Sequence, residues 1–310
     1  VTLQAIPEDA ARSTALRAGE VDLIDLVPAA ELAALRRDRR FGIFTIPGLR
    51  LMFIQLNFGP DGSPPQVTDA AGRPLPGNPF RDPRVRRALS LAIDHQALAA
   101  EVMGGAATPT GQWLPSGIDS YDPATPVPPH DPALARRLLA EAGFPEGFRL
   151  VLQSPRGRYL GDTQLAEAVA AMWTGIGIRT EATPLPWAIF SARGARLEFG
   201  ARLAAWRNIT GEASYPLSQV LGSYDPVLRR GASNLGRYAN PALDALVERA
   251  TAMPDAAARG ALLRQAVRLA AEDVAVIPLV RAENAWAARP GLRYEPRMDE
   301  LTVAMGLRPE

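Results

Sequence analysis

The stretch RLMFIQLN, Arg50 to Asn57, is apolar enough to be buried on both faces, and a strand covered on both sides belongs to a sheet with helices above and below it. Just before it, FGIFTIP, Phe41 to Pro47, reads as a separate strand, with RLMFIQLN leading the chain out of that first sheet. Further back, VTLQAI reads as a strand, and PEDAARSTALRAG as a short amphipathic helix through Ala11, Ala15 and Leu16 that opens on Pro7 and stops at Gly19. VDLIDLV is then a second strand and Ala29 to Asp38 a helix. Strand and helix alternate, which is the rhythm of an α/β sheet. A chain that starts inside this rhythm is expected to begin upstream of Val1 in nature.

Forward of Asn57, Gly59 to Asn78 is rich in Pro, Gly, Ser and Asp and reads as a loop and a domain edge. Beyond it, Asp82-Pro83, Asp131-Pro132 and Asn240-Pro241 each place a side-chain oxygen to cap a helix and a proline where the missing N–H is not needed. Leu243, Leu246, Val247 and Ala250 follow at helical spacing, as do Leu262, Leu263, Ala266, Val267 and Ala270 in a helix from Asp255. FRLVLQS and IGIRTEATP are strands flanking a helix whose inner face is Leu165, Val169, Met172, Trp173 and Ile176. VAVIPLVRA, Val274 to Ala282, is a late strand that returns the chain to the first unit. Leu51 to Asn57 and Val276 to Ala282 are therefore expected side by side as a hinge, with residues 1–57 and 283–310 in one unit and 58–282 in the other.

At 310 residues, 47% hydrophobic and 22% charged, the chain can bury a sizeable core and hold two domains. No apolar run approaches the roughly 18 residues of a membrane helix. All 34 basic residues are Arg, which excludes lysine Schiff-base chemistry. The net charge is +1, with acids interleaved among the arginines, and this argues against a nucleic-acid partner. Zero cysteines remove disulfides, thiolate nucleophiles and zinc-thiolate sites together.

FGARLAAWRNITGEASYPLSQVLGSYD, Phe199 to Asp225, carries the main candidate site. A covered strand ends on Trp206, which can stack a ring face and donate its indole N–H, and hands over to Asn208, Thr210, Glu212 and Ser214. Taken alone, Trp206 is more simply a packing residue and the polar run a solvated loop. Asn57 and Arg281, at the polar ends of the two crossover strands, are further cleft candidates, with loop hydrogen bonding as the plainer reading.

Enzymatic motifs are mostly absent: there is no G-x-S-x-G elbow, Walker loop or H-E-x-x-H. His95 and His130 stand apart and read as surface or capping residues. The acid pairs, Asp299 and Glu300 among them, read as solvated ends of elements. Neither a cofactor nor a metal is expected.

NPFRDPRVRRALSLAID (Asn78 to Asp94), DPALARRLLAEAGFPEGFRLVLQ (Asp131 to Gln153) and NLGRYANPALDALVERA (Asn234 to Ala250) resemble successive landmarks of the extracytoplasmic solute-binding proteins of family 5. Those are the peptide, nickel and opine type receptors of ABC transporters. The resemblance implies a bilobed, type II periplasmic-binding-protein-like α/β clamp, here a partial lobe I plus a complete C-terminal lobe. It implies a receptor and not an enzyme, periplasmic, made with a signal peptide, binding a small polar solute that is peptide-like, opine-like or sugar-acid-like. Its implied partners are the transporter's permease subunits and the missing N-terminal region of the receptor itself, without which one wall is expected to hold solute weakly.

The same resemblance places Asn234 and Arg237 on the rim beside Trp206. In peptide-binding members an aspartate follows the tryptophan by three places and pairs with the ligand's amino terminus. Here that place is Ile209, and an uncompensated ammonium in a closed cleft costs several kcal/mol. A plain peptide therefore requires Glu212 to substitute. Two other readings stand beside the transport receptor: a non-transport module binding a ligand or protein on the same fold, and a hydrolase or transferase using Ser214 or Ser233 with His130.

Overall fold

The computed structural model describes residues 1–6, 8–59 and 61–310. Among them are ten strands: β1 (Leu23–Ile24), β2 (Gly42–Leu56), β3 (Val67–Thr68), β4 (Ala107–Pro109), β5 (Arg149–Arg156), β6 (Arg179–Pro186), β7 (Ala201–Arg207), β8 (Ile277–Ala288), β9 (Leu292–Tyr294) and β10 (Leu307–Pro309). Eight form one mixed sheet in the order β1-β8-β2-β7-β5-β3, with β4 on β8 and β6 on β5. β9 and β10 make a separate two-stranded pair.

β2 and β8 run antiparallel from Gly42 opposite Ala288 to Ile54 opposite Ile277. The expected crossover strands therefore do lie side by side, with Leu51 opposite Arg281 and Met52 opposite Val280. FGIFTIP and RLMFIQLN, expected as two strands, are one. The break seen in the sequence at Pro47-Gly48 is a slip in register between Pro47 and Leu51. Pro47 has no N–H to give the ladder. At Gly48 a Cβ would lie 2.5 Å from Asn284 Oδ1 and 2.7 Å from the Ala282 carbonyl oxygen, so only glycine fits there.

Alternation along β2 explains why Leu51 to Leu56 is apolar on both faces apart from the buried Gln55. Met52, Ile54 and Leu56 enter one core with Val85, Leu139, Leu165 and Trp173, from the helices Pro83–Leu91, Pro132–Glu141 and Asp162–Gly175. Leu49, Leu51 and Phe53 enter a second, with Leu243 and Val247 of Pro241–Thr251 and Leu263 and Val267 of Ala256–Glu272. A strand with cores on both sides has no polar face. Even the indole N–H of fully buried Trp173 is satisfied, donating to the Leu89 carbonyl at 2.9 Å. A third cluster, including Leu16, Leu32, Leu35 and Ala287, gathers at the β1 end.

The expected caps form. Asp82, Asp131 and Asn240 accept from the first helical N–H groups, each with proline at the first turn, and Asp255 accepts from Ala258. The first helix, Asp9–Ala18, ends on Gly19 at φ 76°, while its expected opening residue Pro7 lies outside the described residues, as does Pro60 in the Gly59–Asn78 loop.

Other expectations are corrected. Val1 to Ile6 forms no strand and is largely exposed, because no neighbouring strand among the described residues pairs with it. Of VDLIDLV only Leu23 and Ile24 join the sheet. His95 is 3% exposed, with Nε2 3.0 Å from the Pro278 carbonyl, and is a buried brace and not a surface residue. No helix among the described residues is long and apolar enough to cross a membrane.

Candidate functional site

β5 runs parallel to both β6 and β7, so Arg156, Pro186 and Arg207 end the three strands along one edge of the sheet. Carboxyl ends of parallel strands are where α/β sheets bind ligands, because the loops leaving them are free to converge on a crevice.

β5 hands over to Gly157, Arg158 and Tyr159. The buried carboxylate of Asp162 accepts their backbone N–H groups at 3.1, 2.8 and 3.0 Å, and that of Thr163 at 2.8 Å. Gly157 and Gly161 supply the positive φ angles that this tight turn requires, 67° and 66°. A carboxylate with this many N–H donors fixes the turn before any ligand arrives.

What the turn presents is a cation against aromatic faces. The Arg158 guanidinium lies 4.9 Å from the Trp187 ring and 5.7 Å from that of Tyr159, and no carboxylate pairs with it among the described residues. Trp187 is 41% exposed, and behind it Phe190 and Phe199 continue the stack at 6.0 and 5.3 Å between centroids. Arg50 sits 5.5 Å from the Tyr159 ring and holds Glu300 in a two-pronged ion pair, Nε to Oε1 at 2.9 Å and Nη2 to Oε2 at 2.7 Å. Arg50, Arg158, Tyr159, Glu283, Trp286 and Glu300 help to line a cavity of about 300 Å³. Burial pushes the Tyr159 phenol above its ordinary pKa, against the pull of the neighbouring Arg50, Arg202 and Arg158, so it stays a neutral donor.

Of the residues singled out in the sequence, Trp206, Asn208, Thr210, Glu212 and Arg281 fall on the opposite face near this edge, whereas Asn57, Asn234 and Arg237 lie at the other end of the sheet, where Asn57 meets Gly200 and Gly236 lies against Leu56. Trp206 on β7 faces Leu51, and Leu51 faces Arg281, so the three form one row across β7, β2 and β8. Trp206 lies 5.1 Å from Tyr215, is half-buried against the second core, and its indole N–H is buried without a partner among the described residues. Arg281 is 5% exposed, donates to the Gln112 carbonyl at 2.9 Å, and burial without an acid partner pulls its pKa down to about 10.

The amides brace backbone. Asn208 donates to the Glu212 carbonyl at 2.8 Å and accepts from Thr210 Oγ1 at 2.9 Å. Asn234 donates to the Gly222 and Tyr238 carbonyls at 2.9 and 2.7 Å, and Asn57 to Phe199 at 3.0 Å. Arg237 stacks 3.9 Å from the Tyr224 ring. The Glu212 carboxylate pairs with Arg259 at 3.0 Å, so it is already engaged where a ligand ammonium would need it.

Arg158, Tyr159 and Trp187 were missed. Their signal in the sequence is Arg-Tyr-Leu between two glycines at a strand end, followed by an aspartate in place to hold the turn. Glu300, read as a solvated end, is instead clamped by Arg50, with its side chain only 10% exposed.

Comparison with known proteins now bears on this edge. Residues 1–226 match the family described as "Bacterial extracellular solute-binding proteins, family 5 Middle". Heme-binding protein A of Haemophilus influenzae is 30% identical over 285 residues, covering 91% of this chain and 48% of the relative. Di/tripeptide-binding protein 3 of Pseudomonas aeruginosa is 29% identical, covering 88% and 48%. The chain thus spans about half the length of these curated relatives. The structure of HbpA2 from Haemophilus parasuis superposes with a TM-score of 0.78 at 24% identity, covering 98% of this chain and 57% of that one, and shows a shared fold of the type II periplasmic-binding-protein class. The chain belongs to the bacterial extracellular solute-binding proteins of family 5.

Proposed function

We propose that this chain is part of a periplasmic receptor that delivers a small polar organic solute bearing an anionic group to the permease subunits of an ABC importer. The observation that carries the anionic group is Arg158: an arginine without an acid partner among the described residues, held on aromatic faces by a turn that Asp162 fixes. A preorganised guanidinium beside a cavity binds a carboxylate through two parallel N–H groups. Heme and di- or tripeptides, named for the relatives, differ in shape yet all carry carboxylates.

In this reading the lobes divide at residues 57/58 and 282/283, with β2 and β8 as the hinge. Trp206 remains a proposed stacking wall on the opposite face of the edge, outside the residues that line the Arg158 cavity. Asn208 and Thr210 hold the backbone beside Trp206 and Arg281 supports the hinge row, while Asn57, Asn234 and Arg237 are proposed contacts at the other end of β2, where Asn57 meets Phe199 and Gly200. With Ile209 exposed and Glu212 paired to Arg259, the wall favours the solute's acid end over an ammonium.

A thermal-shift panel of solutes sorted by charge tests this, repeated with Arg158→Met. Hits that are anionic and vanish in the variant support the reading. Hits that are cationic, or that persist in the variant, contradict it.

A further inference from the structure

Glu300 stands in a conformation that its surroundings impose. Its φ is 65°, in the left-handed region that non-glycine residues seldom adopt. The segment carrying it is tied down on both sides of the hinge. The Leu49 N–H donates to the Met298 carbonyl at 3.1 Å, Asn284 donates to the Arg297 and Met298 carbonyls at 2.8 and 3.0 Å, and Arg207 donates to the Asp299 carbonyl at 3.3 Å. All of these ties lie next to the register slip at Pro47 to Leu51. The strap places the Glu300 carboxylate on the fork of Arg50, across 250 positions in sequence.

Arg50 and Arg158 both lean on the ring of Tyr159, at 5.5 and 5.7 Å, and both line the same cavity. Among the described residues one is filled by a carboxylate of the protein and the other is not. We propose that Arg50 is a second anion position, that Glu300 occupies it as an internal stand-in for a solute carboxylate, and that Glu300 thereby restricts the cavity to solutes with a single anionic group. A solute with two acids must displace Glu300, and in doing so it loosens the strap over the hinge. This inference rests on the reading of Arg158 as the solute's anion position.

Hexanoate and adipate, matched in carbon count and differing by one carboxylate, are suitable probes, followed through the arginine Nε–H resonances of the 310-residue chain. In the parent chain both should move the Arg158 signal with similar affinity and leave the Arg50 signal unmoved. In Glu300→Gln, which keeps the side chain's shape, adipate should gain about tenfold over hexanoate and move both signals. Hydrogen exchange at the Leu49 amide should accelerate in the same variant, because its acceptor belongs to the strap. If hexanoate moves Arg158 but the adipate preference does not change in Glu300→Gln, Glu300 is no stand-in and the proposal falls while the receptor reading stands. If neither probe moves Arg158 in either chain, both fall.

Discussion

The Asp162 carboxylate accepts the backbone N–H of Arg158 at 2.8 Å, so a buried acid sets the direction in which a cation leaves the sheet edge. Asp162→Ala removes the acceptor for four N–H groups at once. Charge-assisted hydrogen bonds of this kind are worth about 1.5–3 kcal/mol each, offset by water reaching the freed groups. The variant is expected to lose roughly 2 kcal/mol of stability in denaturant unfolding, and the amides of Gly157 to Tyr159 should exchange faster while those of β2 keep their protection.

Gly48 tests the hinge. An alanine there places its Cβ against Asn284 Oδ1 and the Ala282 carbonyl. Neither can retreat freely, since Asn284 holds the strap and Ala282 pairs with Ala107 on β4. Gly48→Ala should therefore cost about 1–3 kcal/mol, as overpacking does. An unchanged unfolding midpoint would show that the register slip has room that the geometry denies.

His95 provides a pH signature. Burial lowers its pKa below the ordinary 6.5, outweighing the Pro278 carbonyl and the nearby Asp94, with His130 adding to the decrease. Below pH 6.5 the unfolded chain then takes up a proton that the folded chain refuses, so stability falls with acidification from 6.5 towards the folded-state pKa. His95→Asn should flatten unfolding midpoints between pH 6.5 and about 5, before most carboxylates titrate. A parent chain whose midpoint is flat over that range would contradict the assignment.

Much of the scaffold was legible because its signals are local. A proline after Asp or Asn marks the first helical residue at Pro83, Pro132 and Pro241, and Leu51 to Ile54 betrays two covered faces by carrying no polar side chain. What local pattern hides is pairing. Pro47-Gly48 looks like a strand end until β8 is laid beside it, and VTLQAI looks like a strand although nothing described pairs with it. The site was harder for the same reason. Asn208 and Asn234 have the composition of ligand contacts, yet their amides close loops, a use that composition alone does not separate from binding. Arg158 gains meaning only when the parallel alignment of β5, β6 and β7 gathers their ends. Glu300 is explained by a partner 250 residues away.

The account stands most directly on Arg158. Isothermal titration of the strongest anionic hit from the solute panel into the parent chain and into Arg158→Met is the deciding measurement. The account predicts at least about tenfold weaker binding in the variant, corresponding to loss of a charge-assisted pair, with unfolding midpoints that agree, since the guanidinium braces no backbone group among the described residues. Equal affinity in the two proteins would contradict it.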